Sequence, residues 1–309
     1  MRLLRSNIGR ECSGGNVRRA SGAPEFWYSR ARHSLLPAGR ALLHCALFFP
    51  MTATPLRIVL KFGSGILANA KGTALDARQF KRLAREIAAL FAVGHEVIVV
   101  SSGAVAAGLS AFGLKERPDD LAAKQACAAI GQTKLMQMYG AMFEEHGLAV
   151  AQLLLTYRDL DSRVSYGNAQ NTIERLLEGK RVVPIINEND SVAVEELRFG
   201  DNDKLSAEVA MLAGADVLIM LTSVDGLLDA RGATVPLVRD VGHVTGLVRE
   251  EKGKFSVGGM SSKLQAVKLA IVAGIPTHIV SGTKAGQIAR VVAGRTAGTR
   301  FVAKGEAVG

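Results

Sequence analysis

The sequence predicts an α/β protein with a mostly parallel central sheet, and three observations carry that expectation. From Arg57 onward, short β-branched runs alternate with longer Ala- and Leu-rich segments. The short runs are apolar throughout, as strands buried on both faces are. Glycines, hydroxyls and charges collect where those runs end, the edge at which parallel sheets take up ligands.

Taken in order, RIVLKF (57–62) reads as the first strand. ALDARQFKRLAREIAALFAVG follows as a helix, with Asp76 as its N-cap and Gly94 just past its end. EVIVVSSG (96–103) is the second strand. Helix is expected across 119–146, then a strand at AVAQLLLT and one helix over DLDSRVSYGNAQNTIERLLEG. VVPIINEND makes the next strand, and SVAVEELRFG, which alternates with period two, a small hairpin or edge structure. GDND opens a helix running to Ala213, VLIMLTSVDGL leaves its strand into a Gly turn, and 230–257 reads as loop and hairpin. A helix over 260–273, a strand at THIVSG, a helix near 285–292 and a short strand at TRFVA complete the pattern.

With 309 residues and 48% hydrophobic content, the chain can bury one large core or two smaller ones. A net charge of +10 would point to nucleic acid or an acidic membrane, but its distribution argues otherwise. Eight Arg against Glu11 and Glu25 place +6 of it before Met51, leaving +4 for all the rest. The core sequence also lacks the basic–aromatic interleaving of a nucleic-acid binder. Residues 1–52 therefore read as a leader and 53–309 as the folded domain. Met51 is the preferred start, with an Arg-rich transit peptide or a functional basic arm as the alternatives. The apolar run ALLHCALFFPM falls far short of the roughly 20 residues that span a bilayer. Three cysteines, Cys12, Cys45 and Cys127, make no complete disulfide framework, so a reducing cytoplasm is the expected setting.

Candidate chemistry sits at the strand ends. KFGSG puts Lys61 ahead of two glycines that let backbone N–H groups approach an anion; an ordinary Gly turn with a solvated lysine is the bland alternative. SSGAVAAG offers Ser101 and Ser102 before a small-residue helix, where a serine could equally be a plain N-cap. NENDSV ends a strand with four polar residues, Asn187, Glu188, Asn189 and Asp190, where a fully buried strand would have none. In GDND, Asp201, Asn202 and Asp203 supply more polar groups than one helix cap requires. GGMSSK places Lys263 within about a turn of a helix start, where the dipole disfavours a cation unless an anion lies nearby. No GxSxG, HExxH, CxxC, Walker A or GxGxxG motif occurs, and the six His are scattered without ligand spacing. Lysines facing carboxylates suit phosphoryl transfer, in which positioning and charge neutralisation around Mg²⁺ do most of the catalysis.

In this order, KFGSG, SSGAVAAG, NENDSV, GDNDKLSA, LTSVDGL and GGMSSK resemble the amino-acid kinase family over about 250 residues. NEND followed by GDNDxLSA and GGMxxK is similar, more narrowly, to its branch that phosphorylates glutamate in proline biosynthesis. Acetylglutamate, aspartate, carbamate and UMP kinases share the opening but lack that pairing, and they remain the alternative. The resemblance implies an αβα sandwich around about eight strands, and transfer of phosphate from ATP, with Mg²⁺, to the γ-carboxylate of L-glutamate. It implies that Lys61 and Lys263 grip the transferring phosphoryl group while Asp203 holds both lysines. Ser102, Asp190 and Asn202 would bind glutamate, with Asp190 receiving the ammonium. Thr222, Ser223 and the loop Val257, Gly258, Gly259, Met260, Ser261, Ser262 and Lys263 would line the ATP site, while Mg²⁺ rides on the phosphates without an assigned protein ligand.

The resemblance also implies feedback inhibition by L-proline, a homodimer or homotetramer, and functional coupling to glutamate 5-semialdehyde dehydrogenase; the charge distribution and the short apolar run argue for no membrane or nucleic-acid partner. Two departures from the family pattern bear on these expectations. Bacterial members commonly end in a small RNA-binding-like PUA domain, whereas here KGEAVG alone follows the last strand, so RNA contact and any regulation through that domain are in doubt. Ser223 stands where an Asp is frequent, on the nucleotide side of the site.

Overall fold

The structure is a computed structural model that describes residues 54–69, 71–193, 202–244 and 259–306. β1 (Arg57–Phe62) runs into a single helical turn, α1 (Ser64–Leu67), and then α2 (Ala77–Ala92), β2 (Glu96–Ser101) and α3 (Ala104–Leu109). α4 (Leu121–Glu144), β3 (Ala149–Leu155), α5 (Tyr157–Asp161), α6 (Arg163–Glu178) and β4 (Val182–Glu188) follow. The second half holds α7 (Asn202–Leu212), β5 (Val217–Thr222), β6 (Leu237–Val238), α8 (Met260–Val272), β7 (Thr277–Ser281), α9 (Gln287–Val292) and β8 (Thr299–Phe301).

Among the described residues, the strands form one eight-stranded sheet in the order β3-β4-β2-β1-β5-β7-β8-β6. Six of its neighbouring pairs are parallel, and only β7 and β8 run antiparallel. β1 lies between β2 and β5, with Lys61 in register with Val100 on one side and Met220 on the other. The chain passes from β1 to β2, on to β3 at the edge and back to β4 between them, then crosses to β5 on the opposite side of β1. That reversal is where an open parallel sheet leaves a crevice at its carboxyl edge.

Alternation along each strand assigns its residues to two cores, one on each face of the sheet. Ile58, Leu60 and Phe62 pack with Phe80 and Ile87 of α2, Leu135 and Phe143 of α4, and Ile288 of α9. Val59, Ile98 and Val100 pack instead with Ile173 of α6, Leu205 and Val209 of α7, and Leu264 and Val267 of α8. The result is the three-layered αβα arrangement. Lys61 shares the face of Val59, which directs it beneath α7 and α8.

Most expected elements occur within a residue or two of their predicted bounds, and the Asp76 side chain does accept the Arg78 N–H at 3.0 Å. The single helix expected over DLDSRVSYGNAQNTIERLLEG is two. It begins early, at Tyr157, because Thr156 and Asp159 form a reciprocal capping box. It breaks at Ser162, whose extended backbone ends α5 while its side chain caps α6 through the Ser165 N–H. Of the hairpin expected over SVAVEELRFG, only the turn to Ala193 lies within the described residues. In 230–257, β6, an isolated bridge between Leu228 and Thr234 and a short 3₁₀ turn (Val241–His243) are present, and 245–257 lie outside.

Candidate active site

Three predicted residues from three distant segments meet over the carboxyl half of β1. Asp203, in the first turn of α7, is fully buried, and its Oδ2 takes Lys263 Nζ of α8 at 2.9 Å. Its Oδ1 pairs closely with Lys61 Nζ. The lysine side chains are themselves only 3% and 10% exposed. Burying charge is expensive unless it is paired, and the positive end of α7 adds further support for the carboxylate. Two cations share one carboxylate, so the triad keeps a surplus positive charge suited to an anion. Lys263, set against the dipole of its own helix, has the neighbouring anion that its position required.

The bare backbone at Gly63 passes over this triad: a Cβ there would lie 3.9 Å from Lys61 Nζ. α8 opens at Gly259 without a side-chain cap, a helix start that suits an anionic acceptor. Ser262 Oγ lies 3.0 Å from both Asp203 Oδ2 and the Gly259 carbonyl, with one proton to give. Thr222 is buried at the end of β5 and Ser223 is exposed just beyond it. Val257 and Gly258, also predicted for this loop, lie outside the described residues, as does Asp201.

A second group lies alongside, at the ends of β2 and β4. Asn202 Nδ2 donates to the Ser101 carbonyl, lies 2.8 Å from Asn187 Oδ1, and approaches Ser102 Oγ at 3.1 Å. Ser102 and Asn202, both predicted to bind substrate, are thus brought together, while Asp190 sits half-buried in the turn that follows β4. Beneath them, Ser101 Oγ bonds the Tyr139 hydroxyl at 2.8 Å, and burial pushes that phenol's pKa well above its ordinary value.

Sequence reasoning missed one member of this group altogether. Gln132 of α4 accepts a bond from Asn187 Nδ2 at 2.8 Å, and nothing in an Ala-rich helix marks it. What places it is close backbone contact. A Cβ on Gly131 would lie 1.7 Å from the Ala104 carbonyl oxygen, and one on Gly108 would lie 1.9 Å from that of Cys127, so α3 and α4 touch main chain to main chain. The sequence marks Asn187 only as an out-of-place polar residue at a strand end.

Among the described residues, no three His, Cys, Asp or Glu side chains converge to hold a metal. Ammonium groups and uncapped helix amides instead fit phosphate oxygens. A parallel αβα sheet with a net-positive buried triad at its switch point has the architecture of a phosphate-handling protein. Residues 56–281 match the amino acid kinase family, and the chain belongs to it.

Glutamate 5-kinase of Pelobacter propionicus is 44% identical over 253 residues, covering 80% of this chain and 67% of that one. Glutamate 5-kinase of Moorella thermoacetica is 45% identical, covering 80% and 66%. The chain spans about two thirds of the length of these relatives. Solved structures share the fold. Carbamate kinase from Giardia lamblia bound to AMP-PNP superposes with a TM-score of 0.58 at 16% identity, covering 81% of this chain and 99% of that one. UMP kinase from Bacillus anthracis gives 0.55 at 15%, covering 81% and 98%.

Proposed function

We propose that this chain transfers the γ-phosphoryl group of ATP to the γ-carboxylate of L-glutamate, giving γ-glutamyl phosphate and ADP, the opening step of proline biosynthesis. The observation that carries the reading is the buried triad: two lysines on one carboxylate, with surplus positive charge at the switch point of the sheet. The choice of glutamate rests on the relatives' names and on the NEND, GDND and GGMSSK segments.

In this reading, Lys61 and Lys263 stabilise charge on the transferring phosphoryl group from two sides, and Asp203 fixes both ammonium groups in advance. Preorganised charge of this kind needs no rearrangement as the reaction proceeds. Ser102, Asp190 and Asn202 bind glutamate, Asp190 through its ammonium. Thr222, Ser223 and residues 257–263 line the nucleotide site. Mg²⁺ carried on the ATP phosphates supplies further neutralisation. Asp203 is not offered as its ligand, since both carboxylate oxygens are engaged by lysines.

The test is ATP turnover with hydroxylamine present to trap acyl phosphate, comparing glutamate with aspartate, N-acetylglutamate and UMP. Hydroxamate with glutamate alone supports the reading; ADP release with another acceptor in place of glutamate overturns the substrate. The same reading includes inhibition by L-proline, a homodimer or homotetramer, cytoplasmic residence and coupling to the dehydrogenase that consumes a labile acyl phosphate. An inhibition curve flat to millimolar proline rejects the first of these, and a monomeric mass in solution the second. No helix among the described residues is long and apolar enough to cross a membrane.

A further inference from the structure

The amides of Asn202, Asn187 and Gln132 form a chain whose polarity is fixed at both the Ser101 carbonyl and the Glu188 N–H. A backbone carbonyl only accepts, so the Asn202 atom facing Ser101 is nitrogen. That nitrogen also donates to Asn187 Oδ1, which accepts the Glu188 N–H at 2.9 Å as well. Asn187 Nδ2 must then donate, and the Gln132 atom receiving it is oxygen. No amide in the chain can flip alone. Two atoms are left over: Asn202 Oδ1, an acceptor, and Gln132 Nε2, a donor. Both are buried and neither has a hydrogen-bond partner among the described residues. Asn202 itself is only 8% exposed.

Buried polar groups are nearly always satisfied, and an orphaned donor and acceptor at the two ends of one rigid chain ask for a ligand with both complements. We propose that Gln132 is a specificity-determining residue that donates from Nε2 to the α-carboxylate of the amino-acid substrate, while Asn202 Oδ1 accepts from its α-ammonium. This deepens the function proposed above and rests on it. The two groups sit on one carbon of a free α-amino acid. UMP and carbamate carry no such pair, and N-acetylglutamate has lost the ammonium. Asn187 is the positioning residue that joins the two halves. The α3–α4 backbone contact at Gly131 is what delivers Gln132 to its place.

Gln132→Glu keeps the oxygen that Asn187 Nδ2 needs but replaces the free donor with an acceptor. Hydroxamate kinetics and isothermal calorimetry without ATP would be run on the wild type and this variant, with glutamate and with its α-carboxamide. The expected result is a KM and Kd for glutamate raised about tenfold to a hundredfold. The KM for ATP should not change, and the α-carboxamide, whose amide N–H can bond the new carboxylate, should lose much less. Equal losses for the two ligands, or none, would overturn the proposal and assign the orphan atoms to buried water.

Should the variant not fold, the wild type still decides. 4-Aminobutyrate, which is glutamate without its α-carboxylate, must then bind far more weakly than glutamate, and equal binding sinks the idea. The two claims fail separately. Absence of turnover with intact glutamate binding counts against the phosphoryl-transfer reading, whereas unselective binding counts against Gln132.

Discussion

β1 carries a cation at each end, and the two ends use charge in opposite ways. At the amino edge, Arg57 bonds Glu96 at 2.7 Å and Glu174 through both terminal nitrogens, and also reaches the Ala213 carbonyl. Its own N–H donates to Asp216. Burial disfavours the guanidinium, but the bonds to Glu174 and Glu96 prevail and hold its pKa above the ordinary value. These side chains are 21%, 40% and 44% exposed, and one cation faces two carboxylates. At the carboxyl edge the ratio is inverted, and the groups are buried. The amino edge ties strands and helices together with no positive charge to spare. The carboxyl edge buries two cations around one carboxylate, which is a poor way to stabilise a fold and, in the function proposed above, the way phosphate is held.

Removing one carboxylate from each cluster sharpens that contrast. Asp203→Ala takes from two buried lysines the carboxylate they share and should cost about 3–5 kcal/mol of stability along with all measurable turnover. Urea unfolding and the hydroxamate assay read the two effects. Gly131→Ala probes the main-chain contact behind the site. Its Cβ would sit 1.7 Å from the Ala104 oxygen, so α3 and α4 must part. Overpacking of this kind should cost about 1–3 kcal/mol and raise the KM for glutamate by displacing Gln132.

A third test uses acid and mutates neither charge cluster. Burial, helped by Arg300, pushes His278 down to about 4, and burial also lowers His95, whose Nδ1 accepts the Leu56 N–H at 3.0 Å. For a histidine with a depressed folded pKa, the unfolded chain binds the proton first. Its contribution is therefore complete above about pH 6.5 and is lost as pH falls toward 4. The unfolding midpoint should drop across that window, and His278→Gln should flatten the slope. The smallest effect belongs to the amino edge. Glu174→Gln loosens a half-exposed pair and should cost roughly 1 kcal/mol or less, with turnover unchanged. A large loss of turnover there would break the comparison.

The sheet, its layers and the triad were legible in the sequence because each left a one-dimensional trace. Apolar runs gave the strands, and Lys61, Asp203 and Lys263 each stood out against local expectation: a lysine before glycines, surplus carboxylates at a helix start, a cation against a dipole. Gln132 left no such trace, since its place in the site depends on α4 touching α3 at Gly131 and on Asn187 reaching across from β4. The break at Ser162 was hidden for a related reason. The apolar pattern runs through it, and only the competition between two caps, Thr156 for α5 and Ser162 for α6, divides the helix.

The most direct test of the account is the kcat and unfolding midpoint of Lys263→Ala, measured side by side with ATP and glutamate. If the buried triad serves transition-state charge, kcat falls about 10²–10³-fold while the midpoint moves little, because Asp203 keeps Lys61 as its partner. Near-normal turnover, or a loss of activity matched by a collapse in stability, would mean that the carboxyl edge is built like the amino edge and serves the fold.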